Sequence, residues 1–256
     1  MSVKHLTKFE TQAAYNAAKS SLELPNVSFI VETNGVTYEP YTEPTPEPPE
    51  PHDYVEIASV KWATMNLGAT VPADYGHYFQ WADISGYSSD EIGSYGQPKI
   101  MDDADYKYYN GSTYTKYNSS DNKTVLDASD DAGKVNWRGN WRLPTPQEYQ
   151  SLINATNCSC EEYYHDDTCS NILRLVDKTN SSKVLIFPTN GYYDYFGTQD
   201  FDNDGYYWTN TIKNGDNWFA QVFTFHFDSE YEEEINPYIY NIKRSYGCPI
   251  RLVLDE

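Results

Sequence analysis

The stretch Trp141-Arg142-Leu143-Pro144-Thr145-Pro146-Gln147-Glu148-Tyr149 carries the strongest local signal in the chain. Thr145 can cap a helix, because its hydroxyl can accept a hydrogen bond from a free N–H of the first turn. Pro146 then occupies the first helical position, where its fixed φ suits the helix and its missing N–H costs nothing. Glu148 lies three residues after Thr145 and completes a capping box. The pattern predicts a helix running to about Ala155. A second, short helix is predicted near Pro72–Tyr75. Downstream, Ile172–Val176, Val184–Phe187, Trp218–Phe227 and Ile250–Leu254 read as strands. In Trp218–Phe227, Phe219, Phe223, Phe225 and Phe227 recur at period two and predict one core-facing side.

Composition bounds the rest. The 256 residues carry 18 Lys and Arg against 38 Asp and Glu, a net charge of −20, so a nucleic-acid partner is excluded as an expectation. No apolar run is long enough for a membrane span. The 25 tyrosines, with 10 Phe and 6 Trp, argue for a folded chain with a sizeable core. Together with abundant Asn, Asp, Ser and Gly they suit a recognition surface, since Tyr offers large contact area at low rotamer entropy.

Three regions are expected. Residues 1–40 read as a small head: a helix from Thr11 to Leu22, then a hairpin turning at Asn34-Gly35 between Val27–Glu32 and Val36–Glu39. So short a head cannot bury much core, which predicts an anchoring or oligomerising role. Residues 41–52 form a Pro/Glu-rich spacer. Residues 53–256 form the body, with short strands and long Asp/Asn/Ser/Gly/Tyr loops. The opening MSVKHLTKFETQ lacks an apolar signal region, so the chain is expected to be made in a bacterial cytoplasm without a signal peptide.

Four segments of the body resemble, in order and spacing, the Fibrobacter succinogenes major paralogous domain. They are Lys61–Thr70 with Tyr75–Trp81, Asp127–Ala132 with Val135–Trp137, Trp141–Tyr149, and Gly205–Trp208 with Gly247–Arg251. That family is related to the formylglycine-generating branch of the C-type-lectin-like fold, where an Arg-Leu-Pro-Thr helix start recurs. The resemblance implies an α+β fold with twisted antiparallel sheets, two helices and long loops, here preceded by the helix-hairpin head. The head, through Lys8–Tyr15 and Pro25–Thr33, is similar to short N-terminal modules of virion and surface proteins of gut Bacteroidetes phages.

Within the body, Gly68, Gly76 and Gly191 suit turns needing positive φ. Trp62, Trp81, Trp137, Trp141 and Trp208 are expected in the core. Arg142 and Arg251 are each expected to form a salt bridge with Asp130 or Asp131. Cys158, Cys160, His165 and Cys169 approach a zinc-knuckle spacing in an acidic setting. A hairpin with small buried thiols, or a Cys160–Cys169 bridge, are the alternatives. Asp200, Asp202 and Asp204 match the opening of an EF-hand loop, but Thr211 stands where the bidentate Glu belongs. A structural calcium at this cluster, or at Asp127/Asp130/Asp131, competes with plain Asx-turns.

Catalysis is not expected. The formylglycine-generating relatives hold copper with paired thiols, whereas Cys248 stands without a neighbouring cysteine, and the five histidines are scattered. Domains of this fold serve in diversity-generating retroelement systems as hypervariable receptor binders, with variable C-terminal positions rich in Asn, Tyr, Ser and Asp. Tyr206, Asn210, Asn214, Asp216, Asn217, Tyr238, Tyr240 and Asn241 resemble such a set in place and composition. The expected function is therefore non-enzymatic receptor binding or adhesion, on a virion or cell surface, toward a host-surface glycan or protein. A homo-oligomer docked through residues 1–40 is expected. The alternatives are a capsid or fimbrial decoration protein and a metal-dependent enzyme of the formylglycine-generating type.

Overall fold

The computed structural model describes residues 32–33, 36–37, 52–93, 99–165, 168–227 and 236–256, with side chains from residue 52 onward except at 164–165 and 168–170. The chain divides into two compact units, Met1–Pro48 and Pro49–Glu256. In the first, β1 (Glu32–Thr33) pairs antiparallel with β2 (Val36–Thr37), the register expected of a two-residue Asn34-Gly35 connection. The predicted head helix and the Pro/Glu spacer lie outside the described residues.

The second unit is mostly antiparallel sheet. Its strands are β3 (Tyr54–Ile57), β4 (Val60–Asn66), β5 (Phe79–Gln80), β6 (Trp141–Arg142), β7 (Thr156–His165), β8 (Thr168–Asp177), β9 (Val184–Pro188), β10 (Tyr192–Asp194), β11 (Gly197–Gln199), β12 (Asp204–Ile212), β13 (Phe219–His226), β14 (Tyr238–Lys243), β15 (Gly247–Cys248) and β16 (Arg251–Leu254). They form four sheets, ordered β3-β4-β16-β6, β7-β8-β9, β12-β13-β14 and β11-β10-β15-β5. Early and late strands thus share sheets: Trp62 of β4 faces Val253 of β16, and Phe79 of β5 faces Cys248 of β15. Among the described residues there are two α-helices, Ala132–Asn136 and Pro146–Ala155, and none is long and apolar enough to cross a membrane.

Helix Pro146–Ala155 starts as its sequence predicts. Thr145 Oγ1 accepts from the Glu148 amide at 3.1 Å, and Glu148 Oε2 accepts from the Thr145 amide at 2.7 Å. Its inner face buries Tyr149 and Leu152. The helix expected near Pro72–Tyr75 is absent. Asp74 Oδ2 instead accepts from the Thr70 and Val71 amides and the Thr70 hydroxyl, closing a turn. A short polar side chain competes with helical hydrogen bonding in this way. The second helix forms at Ala132–Asn136, where Asp131 accepts from the Gly133 and Lys134 amides as N-cap.

The central strands are buried on both faces, because successive strand residues point to opposite sides. Ala63, Trp208, Val222 and Leu252 enter one core. Their neighbours Trp62, Tyr207, Phe223 and Val253 enter another. The single core face expected of Trp218–Phe227 is therefore corrected. Phe223 and Phe225 are buried, Phe219 and Phe227 are half-buried, and Ala220 and Val222 are buried on the opposite side. Trp62, Trp81, Trp141 and Trp208 are buried as expected, while Trp137 only packs against the core edge. Gly68, Gly76 and Gly191 do adopt positive φ, of 86°, 72° and 53°.

The two arginines choose partners other than Asp130 and Asp131. Arg142 forks onto Glu148 at 2.9 and 2.6 Å and also reaches Asp255 at 2.8 Å. Arg251 is fully buried; it donates to Asn66 Oδ1 and to the carbonyls of Ala63 and Ile186, and its guanidinium lies 4.5 Å from the Phe187 ring centre. Burial pulls its pKa down to about 10, against the favourable field of the Tyr207 and Tyr149 phenols. Asp131 is committed to capping and to the Leu143 amide. Asp130 is taken by Lys116, Tyr117 and Tyr108.

The cysteine-bearing segment is a hairpin. Cys160 pairs with Leu173 and Cys169 with Tyr164, so the two cysteines lie four rungs apart. At about 3.3 Å per residue that is roughly 13 Å, well beyond the 7 Å or so that a disulfide spans. The same register stretches the knuckle-like residues along the hairpin instead of gathering them. Cys158, Cys160 and Cys248 are free thiols. Burial, with small additions from Cys158 and Glu161, pushes Cys160 up to about 12.

Candidate ligand-binding surface

The sheet β12-β13-β14 positions most of the expected binding residues. Its register sets Tyr206 opposite Thr224 and Thr224 opposite Tyr238, in one row on one face. The next row on that face holds Trp208, Val222 and Tyr240. Trp208 and Val222 are buried, but β14 is an edge strand, and Tyr238 and Tyr240 are 51% and 50% exposed. Their rings meet edge to face at 6.0 Å.

Tyr206 is half-buried and bound. Its hydroxyl is within hydrogen-bond distance of Asp200 Oδ2 (3.2 Å) and Asp204 Oδ2 (3.1 Å), and its ring meets Tyr192 edge-on at 5.0 Å. Tyr192 in turn stacks on Tyr246. Burial first, and then the Asp204 and Asp200 carboxylates, raise the Tyr206 phenol far above its ordinary range. His226 Nδ1 contacts Asp204 Oδ1. Asp202 engages a different phenol, accepting from Tyr75 at 2.7 Å. Asp200 and Asp202 sit in the positive-φ turn that the sequence allowed as an Asx-turn, with φ of 54° and 63°. Among the described residues no group of three His, Cys, Asp or Glu side chains stands ready to hold a metal ion.

The connection from β12 to β13 forms a second surface. It turns at Gly215, where φ is 77°. Asp216 accepts from the Trp218 amide and from Lys213 Nζ, both at 3.2 Å. Facing it is a loop at 117–124, held by Asp121, whose carboxylate accepts from the amides of Tyr117 (2.7 Å), Asn118 (2.9 Å) and Lys123 (3.0 Å). Between the loops lies a cleft of about 410 Å³ lined by Asn118, Asn122, Lys123, Asn214, Asp216 and Asn217 among others. Backbone bonds from Ile212 to Thr124 (2.9 Å) and from Leu126 to Asn210 (3.0 Å) join the two walls. Arg244, fully buried, donates to the carbonyls of Lys116 and Tyr117 on one wall and of Asn217 on the other.

The eight expected binding residues thus separate. Tyr206, Tyr238 and Tyr240 share a sheet face, and Asn214, Asp216 and Asn217 line the cleft. Asn210 is corrected from an exposed residue to a framework one. It is 8% exposed, its amide donates to the Pro144 carbonyl, and its Oδ1 accepts from Thr211 Oγ1. Asn241 is half-buried, with its Oδ1 enclosed and without a hydrogen-bond partner among the described residues. Sequence reasoning missed the 117–124 wall and Arg244. The run Asn118-Ser119-Ser120-Asp121-Asn122 shares two Asn and one Asp with the 213–217 loop, and that likeness is the available signal. No family model, curated protein or solved structure matches the chain.

Proposed function

We propose that this chain is a non-enzymatic receptor-binding protein whose C-terminal surface meets a host-surface glycan or protein. One observation carries the reading: tyrosines and asparagines fall into two populations. Asn66, Asn190, Tyr78 and Tyr207 are buried, and each bonds the backbone. Asn214, Tyr238 and Tyr240 are exposed, and with the half-buried Asn217 their side chains make no hydrogen bond among the described residues. Rigid scaffolds that present such uncommitted side chains are typical of recognition surfaces.

A C-type-lectin-like architecture is the finer reading of the body. The capped Thr145 helix start and the pairing of β4 with β16 support it. Attachment to a virion or cell surface through residues 1–40 completes the proposal. The thiol-based alternative finds little support in the thiols themselves. Cys248 is fully buried opposite Phe79, Cys158 and Cys160 lie in a different sheet, and burial raises all three. A thiol held protonated by burial is a poor nucleophile.

The test is adherence of the purified full chain to intact candidate host cells. Two double variants are compared with wild type, Tyr238→Ala/Tyr240→Ala and Asn214→Ala/Asn217→Ala. At least one is expected to weaken adherence about tenfold or more. Wild-type adherence by both overturns the proposal.

A further inference from the structure

We propose that the cleft between residues 117–124 and 212–217 is a calcium-independent site for an uncharged saccharide unit, an assignment that rests on the receptor-binding reading above. The cleft has the size of a small-ligand site, its 410 Å³ lying within the usual range of about 300–1,000 Å³. It is also held in shape from several directions. Asp121 and Asp216 organise the two loops, and the Arg244 guanidinium bonds main-chain carbonyls of both. Preorganisation of this kind lowers the ordering cost of binding.

The chemistry of the walls selects the ligand class. Both lining lysines already have carboxylate partners: Lys123 pairs at 2.6 Å with Asp127, which it shares with Lys116, and Lys213 pairs with Asp216 at 3.2 Å. Asp121 is spent on backbone amides. An anion would have to displace a carboxylate from these lysines and approach a −20 chain, and a cation would have to compete with the amides that hold Asp121. The uncommitted groups are the Ser119 and Thr124 hydroxyls and the Asn122, Asn214 and Asn217 amides, whose side chains make no hydrogen bond among the described residues. Each amide offers donors and an acceptor together, the match for adjacent hydroxyls that both give and receive. Main-chain pairing with a peptide strand is limited, because the Tyr117, Asn118, Asn122, Lys123, Ile212 and Lys213 amides already have acceptors. Next to Asn217, Trp218 is 39% exposed and is met edge-on by Tyr114 at 4.9 Å. Trp218 borders the cleft without lining it, and Lys243 Nζ lies 5.9 Å from its ring centre, so the exposed part of the indole is the apolar surface available to the C–H face of a sugar ring.

The experiment is binding of the full chain, in EDTA, to an immobilised panel of neutral oligosaccharides, acidic oligosaccharides and peptides. Retention by at least one neutral oligosaccharide is expected, weakened about tenfold by Asn217→Ala and by Asn122→Gly. The glycine is chosen because Asn122 has a φ of 53°. Neither side chain supports the fold through a hydrogen bond, and unchanged thermal midpoints verify that both variants are folded. Tyr54→Ala, on an exposed strand outside the cleft, is expected to bind as wild type. The proposal is overturned if no neutral saccharide is retained, if retention requires calcium, if only acidic saccharides or peptides bind, or if Asn217→Ala and Asn122→Gly bind normally. Cell adherence lost in Tyr238→Ala/Tyr240→Ala but kept in both cleft variants overturns the cleft alone. Adherence kept in every variant overturns the receptor reading as well.

Discussion

Arg244 holds Asn217 by its main chain: the guanidinium Nη1 donates to the Asn217 carbonyl oxygen at 3.3 Å and to the Tyr117 carbonyl at 3.2 Å. The same side chain donates to the Tyr106 hydroxyl and the Lys116 carbonyl, and its charge lies 4.5 Å from the Tyr114 ring centre. Among the described residues no carboxylate pairs with it; carbonyl dipoles and aromatic faces stabilise the buried cation instead. Arg244→Met leaves those acceptors unsatisfied and is expected to cost on the order of 3–5 kcal/mol. Arg244→Lys is expected to recover only part, since one ammonium cannot reproduce the planar fork. Urea unfolding midpoints check both, and a wild-type midpoint for Arg244→Met refutes this role.

Asp130 makes stability depend on acid. Burial raises its pKa, but hydrogen bonds from Lys116, Tyr117 and Tyr108, with Lys107 nearby, outweigh burial and bring it down to about 2 from the ordinary 3.8. A carboxyl whose folded pKa is depressed contributes its stability above the unfolded value and loses it as pH falls through the folded one. The stability gap between wild type and Asp130→Asn is therefore expected to be full above about pH 4 and to narrow toward pH 2. Denaturant midpoints measured across that window test the sign. A gap that stays constant contradicts it.

Gly191 is the most constrained turn. Its φ is 53°, and a Cβ there would stand 2.2 Å from the Gln199 carbonyl oxygen, a backbone atom that cannot swing away. It also bridges Gly205 and donates to the Asp204 carbonyl at 2.8 Å. Gly191→Ala is expected to lower stability by about 2 kcal/mol or more, strain and clash adding. Gly111→Ala, where φ is 91° but no atom lies within 4 Å of the added Cβ, isolates the strain alone and is expected to cost less. Thermal midpoints of the two variants give the comparison.

Calcium is expected to leave the thermal midpoint unchanged. Asp202 is engaged by Tyr75, and Asp200 and Asp204 converge on the Tyr206 hydroxyl, so an ion would have to compete with a phenol at each carboxylate. A midpoint that rises with calcium in wild type, falls back with EDTA and does not rise in Asp202→Asn would instead assign the ion to this turn.

The parts of the fold legible beforehand are those decided within a few residues. Thr145 and Glu148 cap each other across three positions, and Pro146 brings its own φ, so the helix start needed no distant partner. The Pro72–Tyr75 expectation failed for an equally local reason: Asp74 outcompeted helical bonding, and helix propensity is a weak prior beside such a contact. The candidate site was half legible. Asn214 and Asn217 were found from loop composition, but the same composition marked Asn210, which a backbone pairing with Leu126 and Pro144 draws inside.

What the sequence determined by itself, then, is the turns at Gly68, Gly76 and Gly191, the capped helix, a minority of the strands and the excess of acid. These depend on φ, capping and period, which act over neighbouring residues. Tertiary structure alone decided the partners of the charged groups and which amides stay free. Arg251 bonds Asn66 across 185 positions, and Arg244 bonds Lys116 across 128, while Asp130 turns to two tyrosines and two lysines instead of an arginine. A buried charge takes the polar groups that chain folding brings within about 3 Å, and sequence spacing does not state that distance.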